Sequence, residues 1–84
     1  MSYRVFIPKS VHKQLNKLPA SVSDSVVSKL SSLQENPRPN GSLKMQGSEG
    51  WRIRLGDYRI IYDIDDKKKT VVIRRVGHRR EIYR

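Results

Sequence analysis

The chain has 84 residues, enough for one small domain spanning 1–84, with no cysteine and two isolated histidines, His12 and His78. At this size only about 60–65% of the unfolded surface can be buried. Disulfides and thiolate metal sites are excluded, and two separated histidines do not make a zinc site, so no metal or other cofactor is expected. Lys plus Arg number 18 against 8 Asp plus Glu, a net charge of +10, which favours a polyanionic partner without naming one.

Taken in chain order, "SYRVFIP" (2–8) reads as a short strand ended by Pro8. In "KSVHKQLNKL", Val11, Leu15 and Leu18 recur at helical spacing until Pro19, which predicts a first helix ending near Leu18. Val22, Val26, Leu30 and Leu33 make the apolar stripe of a second helix, closed by Asn36-Pro37. The pair is an αα-hairpin. "RPNGSLKMQGSEG" (38–50) is rich in turn-forming residues and reads as a loop. From Trp51 the period is two: "WRIRL" and "YRIIYDI" are strands on either side of Gly56-Asp57, a hairpin turn. Asp65 to Lys69 form a polar turn, and "TVVIRRV" (70–76) is the last strand. No apolar run exceeds three residues, which excludes a spanning helix or a signal peptide and predicts a cytoplasmic protein with no membrane partner.

Helices grouped early and strands grouped late predict an α+β fold. It consists of an N-terminal strand, the αα-hairpin and a three-stranded antiparallel meander, with the helices on one face of a small, mostly antiparallel sheet. Trp51, Ile53 and Leu55 then share one side of their strand, and Arg52 and Arg54 the other. Arg59 faces away from Tyr58, Ile60 and Tyr62 and is expected on the same open face. A solvated sheet face ordinarily mixes both signs of charge. Here Arg52, Arg54, Arg59 and one or both of Arg79 and Arg80 converge with only Asp63 and Glu81 nearby. Arginine matches phosphate with a planar, bidentate fork. Tyr83, one residue from the C-terminus, either packs over the sheet edge, stacks on a nucleobase or exchanges a proton that nearby cations make easier to lose. His78, after Gly77, is most simply a turn residue, and His12 a surface residue. The lysines at 67–69 sit in a turn and are most simply solvated.

"LKMQGSEGWRIRLGDYRIIYDI" with "VVIRRVGHRREIYR" resembles the RelE side of the RelE/ParE superfamily of bacterial and archaeal toxins. The resemblance covers nearly the whole chain and agrees with the element order above. It implies an mRNA interferase: a metal-independent endoribonuclease that cleaves messenger RNA, commonly in the ribosomal A site, until an antitoxin binds. In that family the RNA's own 2′-hydroxyl attacks the adjacent phosphodiester. The matching positions are the basic pair Arg52 and Arg54, then Arg59, Arg79 and Tyr83. Arg54, Arg59, Arg79 and Tyr83 are therefore the expected catalytic residues, and Lys44, Arg52, His78 and Arg80 the expected RNA contacts. The implied partners are an acidic antitoxin, mRNA and the ribosome, with operator DNA reached only through the antitoxin complex.

Two departures from well-known RelE proteins stand out. Arginines replace lysines at 52 and 54; they can stabilise a phosphorane but cannot act as bases. Tyr83, Glu81 or His78, or substrate alignment alone, must then fill that role. Arg84 also follows Tyr83 directly, without the C-terminal helix of some relatives, so Tyr83 is expected to move freely until RNA binds. Two rivals stand beside the ribonuclease. One is a ParE-like toxin that inhibits DNA gyrase by protein contact. The other is an inactive module that binds only antitoxin and operator.

Overall fold

A computed structural model describes residues 2–45 and 50–82. In chain order they form β1 (Arg4–Phe6), α1 (Lys9–Asn16), α2 (Ala20–Ser32), β2 (Ser42–Lys44), β3 (Trp51–Leu55), β4 (Tyr58–Asp65), β5 (Thr70–His78) and α3 (Arg79–Ile82). Pro8 and Pro19 are the N-caps of α1 and α2, positions where a missing N–H costs no helical hydrogen bond. The prolines thus set where the two helices begin.

The strands run in the order β1-β5-β4-β3-β2. The expected meander β3–β4–β5 is antiparallel, and β1 lies parallel to β5 at one edge. The other edge departs from the sequence expectation. Residues 42–44, read as loop, pair antiparallel with β3 as β2. Nothing in the side chains of this three-residue strand announces it, since backbone pairing with β3 supplies its structure. The second departure is at the end of the last strand, which was expected to stop at Val76: β5 runs on through His78, read as a turn residue, and α3 follows as a single turn.

One face of the sheet carries Ile53, Ile60, Tyr62, Val71, Ile73 and Val76, buried in a single cluster with Val11, Leu15, Val26, Leu30 and Leu33. The α2 stripe therefore packs where its spacing predicts, with Val22 and Leu55 at the cluster's margin. The ladder between β4 and β5 slips by one residue: Ile61 faces Arg75 whereas Tyr62 faces Ile73, leaving Arg74 without a partner position. This β-bulge turns Val76 into the core and Arg75 out of it. Beyond the end of β1, the Val76 N–H is satisfied by Gln14 Oε1 at 2.7 Å.

Polar ties fasten the end of the sheet remote from the β3–β4 turn. Tyr3 Oη donates to Asp66 Oδ1 at 2.7 Å, and Arg38 makes a forked pair with the same carboxylate at 3.2 and 2.8 Å. The bond from Arg38, then that from Tyr3, pulls the Asp66 carboxyl down to about 2. Arg38 also lies 5.1 Å from the Trp51 ring centroid, a cation–π distance. The buried Tyr62 hydroxyl donates to Pro37 O at 2.8 Å, and burial pushes its pKa up to about 12. No helix among the described residues is long and apolar enough to cross a membrane.

Leu30 is only 2% exposed, so Leu30→Ala should cost about 2–5 kcal/mol, read from denaturant unfolding. An unchanged midpoint would contradict its place in the core. For Tyr62, the raised folded pKa favours the neutral phenol. Its contribution to stability is complete below the ordinary phenol value of 10.0 and is lost as pH rises through about 12. Tyr62→Phe should therefore show a shallower fall in melting temperature than wild type across that alkaline window.

Candidate nucleic-acid interface

β3 and β4 meet in a two-residue turn that sets Leu55 opposite Tyr58 and Arg54 opposite Arg59. Gly56, with φ 60°, holds the first central position, where a type II′ turn requires glycine. Because Ile53 and Ile60 are committed to the core, strand alternation sends Arg52, Arg54, Arg59 and Ile61 to the opposite face. The three arginines line a cleft of about 440 Å³ with Gly41, Leu43 and Gly56.

The three are not equivalent. Arg54 is exposed and Arg52 half-buried, but Arg59 is only 8% exposed, against the expectation of an open position. Its Nη1 donates to Gly56 O at 2.9 Å and Tyr58 O at 3.0 Å. The guanidinium thus lies back over its own hairpin turn. Packing and two carbonyls fix its place in advance of any ligand, and its charge is already largely stripped of water.

Opposite Arg59 on the other neighbouring strand is Gly77, one residue before β5 ends at His78 and α3 begins. The Arg79 N–H donates to Asp57 O at 2.8 Å. This ties the start of α3 to the same turn that carries Arg54 and Arg59. Arg79 and Arg80 are exposed there. Arg52, Arg54 and Arg59 therefore share one cleft, and the backbone of Arg79 is tied to the same hairpin turn, with Arg80 following it in α3.

Two other expected RNA contacts do not join them. Lys44 pairs with Trp51, so alternation puts it on the helix side of the edge strand, away from Arg52. His78 pairs with Tyr58 and meets its ring edge-on, with centroids 5.4 Å apart. That is again the helix side. Its Nδ1 accepts the Arg80 N–H at 3.2 Å. Both departures follow from strand parity: one residue along a strand changes the face. Tyr83 lies outside the described residues.

The expected conflict of charge is present. Like charges directly across an antiparallel pair destabilise it, and Arg54 and Arg59 are such a pair. Of the two acids expected nearby, Asp63 is held in an ion pair with Arg74, and Glu81 is exposed on α3 with its carboxylate beside Gly77. The cleft therefore suits an anion. Arg54→Gln should stabilise the free protein at low salt by about 0.2–0.5 kcal/mol, a small gain because Arg54 is exposed and screened. Added sulfate should raise the melting temperature of wild type more than that of the variant. Equal responses would place the anion elsewhere.

Comparison with known proteins fits this geometry. A family model described as the ParE toxin of type II toxin–antitoxin system, parDE, matches residues 5–83. Toxin RelG of Mycobacterium tuberculosis is 37% identical over 86 residues, covering 100% of this chain and 99% of its own. Among solved structures, the RelBE2 toxin–antitoxin complex of M. tuberculosis contains a chain superposing with TM-score 0.83 at 31% identity, over 93% of this chain and 99% of that one. A chain of the archaeal RelE–RelB complex from Pyrococcus horikoshii superposes with TM-score 0.80 at 34% identity, over 94% and 97%.

Proposed function

This chain belongs to the RelE-like toxins of type II toxin–antitoxin systems, and from that premise we propose that it is a metal-independent endoribonuclease acting on messenger RNA. The observation that carries the proposal is the cleft of Arg52, Arg54 and Arg59 with Arg79 tied to its hairpin. A scissile phosphate enters that cleft. The RNA's 2′-hydroxyl loses its proton and attacks phosphorus, and the bond from phosphorus to the 5′-oxygen breaks. That oxygen gains a proton, so the products are a 2′,3′-cyclic phosphate, or a 3′-phosphate after its hydrolysis, and a 5′-hydroxyl.

The residues divide the work by their chemistry. Arg59, fixed and desolvated, supplies charge where the phosphorane develops it; Arg54, opposite it, and Arg79 bind the same phosphate from the solvent side. Arg52 and Arg80 extend the hold to the neighbouring backbone. No arginine here acts as a base, because guanidinium keeps its proton. With His78 turned to the helix side, Tyr83 is the residue assigned to stack on a base or accept the proton. Weak acid–base equipment fits a nuclease whose substrate is aligned by the ribosomal A site.

The partner is an acidic antitoxin. The two solved relatives are complexes with RelB antitoxins, and a toxin of net charge +10 suits a segment that folds on binding and neutralises it. Apolar contact contributes as well, since charge alone is lost at high salt. Phe6, Val27 and Leu43 are large apolar side chains left about half exposed here, at 51, 52 and 55%.

Primer extension after induction tests the activity. Arg59→Ala and Arg79→Ala should each slow cleavage by on the order of 10²–10³ and abolish growth arrest at equal expression. The cleaved RNA should carry 5′-hydroxyl ends, and EDTA should change nothing. Full toxicity of either variant would favour the rival suggested by the family model's description, a ParE-like toxin that inhibits DNA gyrase by protein contact.

A further inference from the structure

α3 consists of four residues, Arg79–Ile82. A helix that short has almost no stability of its own, and the carbonyls of its last turn lack intrahelical partners. It nevertheless buries Ile82, which is 7% exposed. Ile82 packs over Gly77: a Cβ on that glycine would stand 3.7 Å from Ile82 Cδ1. Gly77 faces Arg59 across the ladder, so α3 is folded back over the arginine-bearing face of the sheet.

A single side chain closes the far end of this turn. Arg75, on β5, faces Ile61 of β4, on the same side as Arg59. Its Nη2 donates to Glu81 O at 3.1 Å and its Nη1 to Ile82 O at 3.3 Å. One guanidinium thus caps two consecutive carbonyls, and its charge suits a helix C-terminus. The other end is held by the bond from Arg79 N–H to Asp57 O. The two ties bracket α3, with Arg79 at its start.

We propose that Arg75 is a positioning residue for RNA cleavage: its fork clamps α3 onto the arginine face and so fixes Arg79. The proposal rests on the ribonuclease function above. Arg75 acts through α3 and not on the phosphate, because both of its terminal nitrogens are engaged by backbone carbonyls. Lysine cannot replace it, having one nitrogen where the clamp needs two donors in a fixed fork. A large side chain at Gly77 would displace Ile82 and open the same clamp while leaving Arg75 intact.

The test uses full-length Arg75→Lys, Arg75→Ala and Gly77→Leu, with two readouts. The first is amide hydrogen exchange at residues 79–82, with the Ile60 amide as the control for an intact core. The second is single-turnover cleavage on ribosomes programmed with a defined mRNA. All three variants should exchange faster by about tenfold or more across α3 while Ile60 stays protected. Cleavage should slow by roughly 10- to 100-fold, the range expected when a catalytic group is misplaced. In Arg75→Lys, which keeps the charge, the half-saturating ribosome concentration and its salt dependence should match wild type. In an Arg79→Ala background, Arg75→Lys should add little further loss. Unchanged exchange in Arg75→Lys and Arg75→Ala overturns the clamp whatever the cleavage result. A loss that adds fully to that of Arg79→Ala overturns its action through α3. A wild type that does not cleave overturns the ribonuclease function instead, and exchange alone then decides whether the clamp exists.

Discussion

The organisation of the molecule turns on one unfavourable juxtaposition, Arg54 directly across from Arg59 at the last rung before a two-residue turn. Neither can retreat. The hairpin register is fixed on the other face by Ile53 against Ile60, both within the core, and slipping by one residue would bury the arginines and expose the isoleucines. The apolar cluster beneath thus holds close to one another two charges that would otherwise separate. Burial supplies the free energy, and the upper face stores part of it as readiness for an anion.

Arg59 shows how that readiness is built. Its two carbonyl acceptors belong to Gly56 and Tyr58, so the turn that enforces the repulsion also anchors one of its members. Arginine is the residue that fits, since it can donate to backbone on one edge and still present charge on another. A lysine at the same place would have a single nitrogen for both purposes. The proposed site is therefore electrostatic in character, with its donors in position before any anion arrives and with little capacity for proton transfer among them.

Much of this is legible in the sequence because two periodicities are clean. The stripe of Val22, Val26, Leu30 and Leu33, and the alternation of Trp51-Arg52-Ile53-Arg54-Leu55, each assign faces without ambiguity, and the core and the arginine cleft follow. The elements that escape are those whose structure is not written in side-chain pattern. β2 is short and held by backbone pairing alone. α3 depends on Arg75, Gly77 and Asp57, none of them within it. Lys44 and His78 were grouped with the arginines by charge and proximity in sequence, yet strand parity places both on the other side. The burial of Arg59 likewise depends on a local hydrogen-bonding choice at the turn.

The bulge at Arg74 has an evolutionary meaning. The run Val71-Val72-Ile73-Arg74-Arg75-Val76 alternates only if one residue is left out of the count, and Arg74 is the one without an opposite number on β4. It behaves as a single-residue insertion in an otherwise regular ladder. Losing it would leave the pairings on both sides intact, so position 74 is where this sheet can shed a residue without exchanging its faces. A deletion at any neighbouring position on the β4 side would instead send the opposed arginines inward. Length variation among natural variants of this strand should therefore be confined to that position, while the spacing from Arg75 to Arg79 should stay constant.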